Sequence, residues 1–242
     1  MSGTLLWLPG WSMTPAVFSR LQERLPLYRH LPVDLSDAQT PYELLRRAEA
    51  AAKESGGPLL IGGWSLGALL ALRLAAQGLA DGLILFAATA CFVRSKHEQA
   101  LGQPDSIVRQ MIRALDYDAY AVETAFRKQL LTDAERRAGV EKRLAPAGSW
   151  TLPALHAGLE LLRSEDLRQM LPDIQCPVLL FHGLADRICP FGGVSELAAR
   201  LPYACLYAIP ECGHAPFLDR EEEIAKEVRR WLHAQQSDSA SI

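Results

Sequence analysis

The chain has 242 residues, 49 % of them hydrophobic and 22 % charged, enough for one α/β domain with a full core and room for an inserted subdomain. A net charge of −3 gives no reason to expect nucleic acid or an anionic membrane as a partner. No window reaches the roughly 18 consecutive apolar residues of a membrane span.

Six short apolar runs read as strands: 4–8 (TLLWL), 29–35 (RHLPVDL), 58–63 (PLLIGG), 82–88 (GLILFAA), 177–183 (PVLLFHG) and 204–210 (ACLYAIP). Helical patterns lie between them, and this alternation predicts a mostly parallel sheet covered on both faces. Thr14-Pro15 opens one helical segment, and Thr40-Pro41-Tyr42-Glu43 reads as a capping box with proline at the first helical position. The last helix, 220–235, is acidic at its start and basic towards its end, as the helix dipole prefers, and the polar tail 236–242 is expected to fray. Residues 1–11 lack the basic and long apolar regions of a secretory leader. Five cysteines without metal-type spacing read as free thiols in a reducing compartment, so a cytoplasmic protein is expected, and a monomer.

One region breaks the alternation. Residues 93–170 show helical periodicity and no convincing strand, in the segments 105–115, 119–131, 133–145 and 151–170. Such a length of helix between two strands far exceeds a single crossover. The expectation is a helical cap, 93–170, inserted into a core of 1–92 and 171–242.

The run into residue 63 and the helix after it bracket Gly63-Trp64-Ser65-Leu66-Gly67. A G-x-S-x-G pentapeptide alone is a weak signal, but a buried strand before it and a helix after it give the setting of a nucleophile elbow. Small flanking residues suit a tight turn that lifts the serine hydroxyl above the sheet, and the Leu66 N–H would face an oxyanion at the helix start. A capping serine in a glycine-rich turn is the plainer alternative.

A serine nucleophile needs a base. Of six histidines, His30, His97, His156 and His233 read as packing or surface residues, and His182 as a structural residue at a strand end. His214 lies in a loop between the last strand and the last helix, bracketed by Gly213 and Pro216, which opens at the C-terminal sheet edge where Ser65 emerges. Asp186, three residues beyond Gly183, supplies a carboxylate to orient the imidazole, with Asp34 as its competitor. The order serine, acid, histidine is that of the α/β-hydrolases. In the loop after the first strand, Pro9 cannot donate, Gly10 permits a tight turn and Trp11 offers a second oxyanion N–H, unless it is only a packed aromatic.

With these residues the chain resembles the α/β-hydrolase superfamily over nearly its whole length. Within it, the chain is similar to the pimeloyl-[acyl-carrier protein] methyl ester esterases of biotin synthesis. The likeness rests on PGWSM…VF, GWSLGALLALRLA, AATACFV, LHAGLELLRSEDLRQML and GHAPF. It implies an α/β-hydrolase fold of about six strands with an inserted helical cap. The implied activity is removal of methanol from a pimeloyl ester carried on acyl-carrier protein, without metal or organic cofactor. It also implies Trp11 and Leu66 as oxyanion donors and Phe126 as an aromatic lining the acyl channel. Two departures stand out. Pro9-Gly10-Trp11 replaces the usual His-Gly-Trp, and the antiparallel strands that usually precede the oxyanion loop are missing.

Six basic residues, Arg127, Lys128, Arg136, Arg137, Lys142 and Arg143, fall within seventeen positions of the cap. Family members grip the acidic carrier with cap arginines. A solvated helical face neutralised by Asp133, Glu135 and Glu141 is the plainer reading, and none of the six is assigned to a site. A broad carboxylesterase or thioesterase without a biotin role fits the same residues. So does a hydrolase-fold receptor that binds a ligand without chemistry.

Overall fold

A computed structural model describes residues 3–144 and 146–239. In chain order its strands are β1 (Thr4–Leu8), β2 (Arg29–Pro32), β3 (Leu59–Trp64), β4 (Gly82–Phe86), the two-residue β5 (Val93–Arg94) and β6 (Gln103–Pro104), β7 (Val178–Gly183) and β8 (Ala204–Ile209). Six form one sheet in the order β2-β1-β3-β4-β7-β8, with every neighbouring pair parallel. β1, β4 and β7 are wholly buried, as their mainly apolar sequences suit in a sheet covered on both faces, whereas the edge strands β2 and β8 are partly exposed. The chain runs outward from β1 to β2, restarts at β3 on the other side of β1, and continues to β4, β7 and β8. The carboxyl ends of β1 and β3 therefore flank a topological switch point, where open α/β sheets form their binding crevice.

The helices are α1 (Ser19–Glu23), α2 (Pro41–Glu54), α3 (Leu66–Ala76), α4 (Asp105–Gln129), α5 (Asp133–Arg137), α6 (Leu152–Ser164), α7 (Phe191–Arg200) and α8 (Glu221–Ser239). Nine of the eleven residues of α3 are buried, so this helix is apolar nearly all round. α2 begins under Thr40, whose hydroxyl accepts the Glu43 N–H at 3.1 Å, while the Glu43 carboxylate accepts the N–H of Gln39 rather than that of Thr40. The expected capping box is thus closed one residue early. Among the described residues no helix is long and apolar enough to cross a membrane.

Between β4 and β7 the segment is helical, as expected, with three local differences. Asp118 interrupts α4 with φ −156° and ψ 85°, and its carboxylate accepts the Ala121 N–H at 2.9 Å, restarting the helix. β5 and β6 pair with each other in a stretch where no strand was expected. The last helix stops at Ser164 instead of reaching 170, because the chain turns extended at Glu165, bridges Asp166 to Cys91 and gives its Leu167 N–H to Ala90. β2 likewise ends at Pro32, before an Asp34 turn in which the carboxylate accepts the Ser36 N–H. α8 continues through 236–239 where fraying was expected, and 240–242 lie outside the described residues.

Candidate active site

Ser65 joins β3 to α3 with φ 55° and ψ −112°, a backbone conformation costing on the order of 1–3 kcal/mol that the surroundings must hold in place. They do so from both sides: the Ser65 N–H donates to Phe86 O at 3.0 Å, and its carbonyl accepts the Leu69 N–H at 3.1 Å. Both glycines of the pentapeptide are needed for close approach. A Cβ on Gly63 would lie 2.6 Å from Gly67 O, and one on Gly67 only 2.0 Å from Leu8 O. Leu66 is the first residue of α3, so its N–H has no acceptor within the helix and sits at the positive end of the dipole.

Asp186 follows β7 and His214 lies between β8 and α8; both are buried. His214 Nδ1 donates to Asp186 Oδ2 at 2.7 Å, while Asp186 Oδ1 accepts the N–H groups of Ile188 and Cys189 at 2.8 and 2.9 Å. The carboxylate is thereby fixed at both oxygens, and its partner imidazole keeps a lone pair on Nε2. Among the described residues that Nε2 has no hydrogen-bond partner, Ser65 included. Such bonds commonly tighten only when substrate is bound. His182 approaches the same carboxylate oxygen, with Nε2 3.4 Å from Oδ2. Its Nε2 also lies 2.8 Å from the Cys189 carbonyl, which can only accept, so the proton sits there. Burial holds the His182 pKa below 6.5, against the pull of Asp186 and of the Cys189 carbonyl.

Trp11 lies in the loop after β1, its ring against α6: the indole N–H donates to Leu155 O at 2.8 Å, and a Cβ on Gly158 would come within 2.5 Å of the ring. Trp11, Ser65 and Phe126 line one cavity of about 120 Å³ with Phe92, Val108, Met111, Leu159 and Ile188. Phe126 meets the Trp11 ring edge-on at 5.0 Å between centroids. The rest of the lining includes Gln103 and Gln129 and, among the described residues, no charged side chain.

Residues 5–227 match the family model of the alpha/beta hydrolases. The chain belongs to the alpha/beta hydrolase family. It is 34 % identical over 236 residues to the pimeloyl-[acyl-carrier protein] methyl ester esterase of Aromatoleum aromaticum, covering 91 % of this chain and 94 % of that protein. It is 33 % identical to the enzyme of the same name from Nitrosomonas europaea, over 90 % and 91 %. Among solved structures, an esterase from Exiguobacterium antarcticum superposes with a TM-score of 0.79 at 21 % identity, covering 96 % of this chain and 92 % of that one. A thermophilic esterase from Thermogutta terrifontis gives 0.78 at 19 %, covering 96 % and 91 %. At those identities the two structures speak for the fold.

In this alpha/beta hydrolase the competing residues fall elsewhere. Asp34 is exposed and engaged in its own turn, His97 and His233 are exposed, and His156 pairs with Asp116 at 2.9 Å. His30 accepts the Trp7 indole N–H on Nδ1 at 3.0 Å and donates from Nε2 to Leu25 O at 3.1 Å, a packing role. The basic cluster is not one solvated face. Arg127 reaches inward to Ser12 O at 2.6 Å, Arg136 donates to Leu131 O at 2.7 Å, Arg143 pairs with Asp219, and Glu135 is buried; Lys128, Arg137 and Lys142 remain exposed. Reading the sequence also missed what Trp64 does. Its indole N–H donates to the His214 carbonyl at 2.7 Å, and its ring centroid lies 5.9 Å from the imidazole. A tryptophan directly before the serine was the available signal, but only the fold brings the histidine loop onto it.

Proposed function

We propose that this hydrolase is a serine carboxylesterase of biotin synthesis, cytoplasmic, which cleaves pimeloyl-[acyl-carrier protein] methyl ester to the free acid and methanol. Ser65 is the nucleophile, His214 the general base and acid, and Asp186 the group that orients the imidazole and stabilises its charged form. The backbone N–H groups of Trp11 and Leu66 form the oxyanion hole. Residues 93–170 act as a cap over the acyl channel, with Phe126 in its wall.

His214 Nε2 takes the Ser65 proton as Oγ attacks the ester carbonyl, and the carbonyl π electrons move onto oxygen. When the tetrahedral intermediate collapses, the same proton goes to the leaving methoxide. Water then attacks the acyl-enzyme, giving its proton to His214, and collapse returns that proton to Ser65. The uncharged lining suits a polymethylene chain ending in a neutral methyl ester, and it opposes retention of the carboxylate product.

The observation that carries the reading is the buried 2.7 Å contact between His214 and Asp186, on loops at the sheet edge where the strained Ser65 turn emerges. The relatives of 33–34 % identity support the choice of ester. The test compares pimeloyl-carrier-protein methyl ester with free dimethyl pimelate, in wild type and Ser65→Ala. The reading expects faster cleavage of the carrier-bound ester and none by the variant. Equal rates on both esters favour a broad carboxylesterase, and an active Ser65→Ala overturns the assignment of the nucleophile.

A further inference from the structure

Among the described residues three carboxylates are buried: Asp186, Glu123 and Glu135. Asp186 belongs to the triad proposed above, and the other two lie between β4 and β7. A carboxylate removed from water is costly unless hydrogen bonds compensate it, so the partners of each one show what its burial secures.

Glu123, on α4, holds the loop that carries Trp11. Ser12, the next residue, is fully buried with φ 63° and donates its hydroxyl to Glu123 Oε2 at 2.5 Å. Arg127, one turn further along α4, donates to Ser12 O at 2.6 Å and to its Oγ at 3.2 Å. The Gly148 N–H adds contacts of 3.2 and 3.3 Å to the same carboxylate. Glu135, on α5, holds the loop that carries His214. Its Oε2 accepts the Gly213 N–H at 3.1 Å and the Thr132 N–H at 2.8 Å, and its Oε1 accepts from Arg220 at 3.0 Å. The His214 N–H itself donates to Leu130 O at 2.7 Å, and a Cβ on Gly213 would lie 2.5 Å from that oxygen.

Glu135 thus grips the backbone next to His214, while Glu123 takes the Ser12 hydroxyl, and Arg127 the Ser12 carbonyl, next to Trp11, in both cases across the boundary between the helical segment and the sheet. Neither lines the cavity. We propose that Glu123 and Glu135 are positioning residues through which the cap holds the Trp11 and His214 loops, aligning the oxyanion hole and the base only when the cap is seated. The inference rests on the roles given to Ser65, His214 and Trp11 above. It makes the cap part of the alignment of the catalytic groups as well as a wall of the channel.

The test uses Glu123→Gln, Glu135→Gln, Ser12→Ala and the Ser12→Ala/Glu123→Gln double variant, assayed with p-nitrophenyl butyrate. Misplacing a reacting group by about 1 Å can cost about 100-fold, so kcat in each single variant should fall about 10- to 100-fold while KM stays within about threefold. Affinity for butylboronic acid, which forms a tetrahedral adduct on the serine, should fall by the same factor as kcat/KM. The double variant should be no worse than its worse parent, because both changes remove one contact. Wild-type kcat in both glutamate variants, or losses confined to KM, overturn the inference. If circular dichroism shows that Glu123→Gln does not fold, Ser12→Ala reads the same contact from the other side. Unfolding of both makes that contact structural and overturns its positioning role. An inactive wild-type chain overturns the reading of the site and this inference together; an active wild type with unaffected variants overturns this inference alone.

Discussion

Trp64 separates the elbow of this chain from a generic one, since its indole ties the serine turn to the histidine loop. In Trp64→Phe the His214 carbonyl loses its donor, and an unsatisfied buried acceptor costs about 1–3 kcal/mol. The expected outcome is a lower denaturation midpoint together with reduced kcat, read by urea titration and ester hydrolysis. The cysteines give a second check at this scale. Burial pushes the Cys212 thiol up to about 12 and the Cys176 thiol to about 11, and raises Cys91 and Cys189, whereas Cys205 is exposed. Alkylation of the native protein at pH 8 should therefore label Cys205 ahead of the rest, as peptide mass spectrometry would show; early labelling of Cys212 would contradict the burial of the histidine loop. The turn at Ser65 and the meeting of Asp186 with His214 were legible because each residue follows a strand or sits in a loop with its own residue signature. Glu123 and Glu135 were not, because a glutamate at helical spacing looks the same whether it faces water or a loop distant in sequence.

The junction of α3 with β1 sets the elbow. Leu8 O stands where any side chain at Gly67 would have to go, and both groups are backbone, so neither can swing aside. Gly67→Ala should destabilise the fold by at least the 1–3 kcal/mol typical of overpacking, with a lower melting temperature and weak activity. A variant as stable and active as wild type would show that the turn can open. Element boundaries were legible where the signal is local. β1 matches its expected range at both ends, since a threonine and four apolar residues are followed by proline and glycine. The end of α6 was not legible, because apolar spacing continues past Ser164 and only the pairing of Asp166 with Cys91 draws the chain extended. The parallel sheet, the strand order of serine, acid and histidine, and the long helical segment could all be read, since they depend on periodicity and chain order rather than on contacts.

At the scale of the whole molecule, two histidines, the half-buried His30 and the fully buried His182, couple stability to pH. His30 and His182 both titrate below 6.5 in the folded chain, chiefly through burial, which outweighs the backbone hydrogen bonds that favour their charged forms. In the unfolded chain they titrate near 6.5. Between the two values the unfolded state binds more protons, so stability rises with pH there, is complete above about 6.5, and is lost as pH falls below it. The urea midpoint should therefore drop from pH 7.5 to 5.5, and His182→Gln should reduce that drop; an unchanged midpoint would mean that the rings accept protons without cost. What matters most at this scale is the role proposed for Ser65 as nucleophile, on a turn at the topological switch point whose N–H is taken by Phe86 O of β4 and whose Gly67 lies against Leu8 O of β1. Intact-protein and peptide mass spectrometry after rapid quenching with p-nitrophenyl butyrate tests it most directly. The account predicts one butyryl group per chain, on the peptide containing Ser65 and absent in Ser65→Ala. Turnover with the acyl group on another residue, or undiminished turnover in Ser65→Ala, would contradict it.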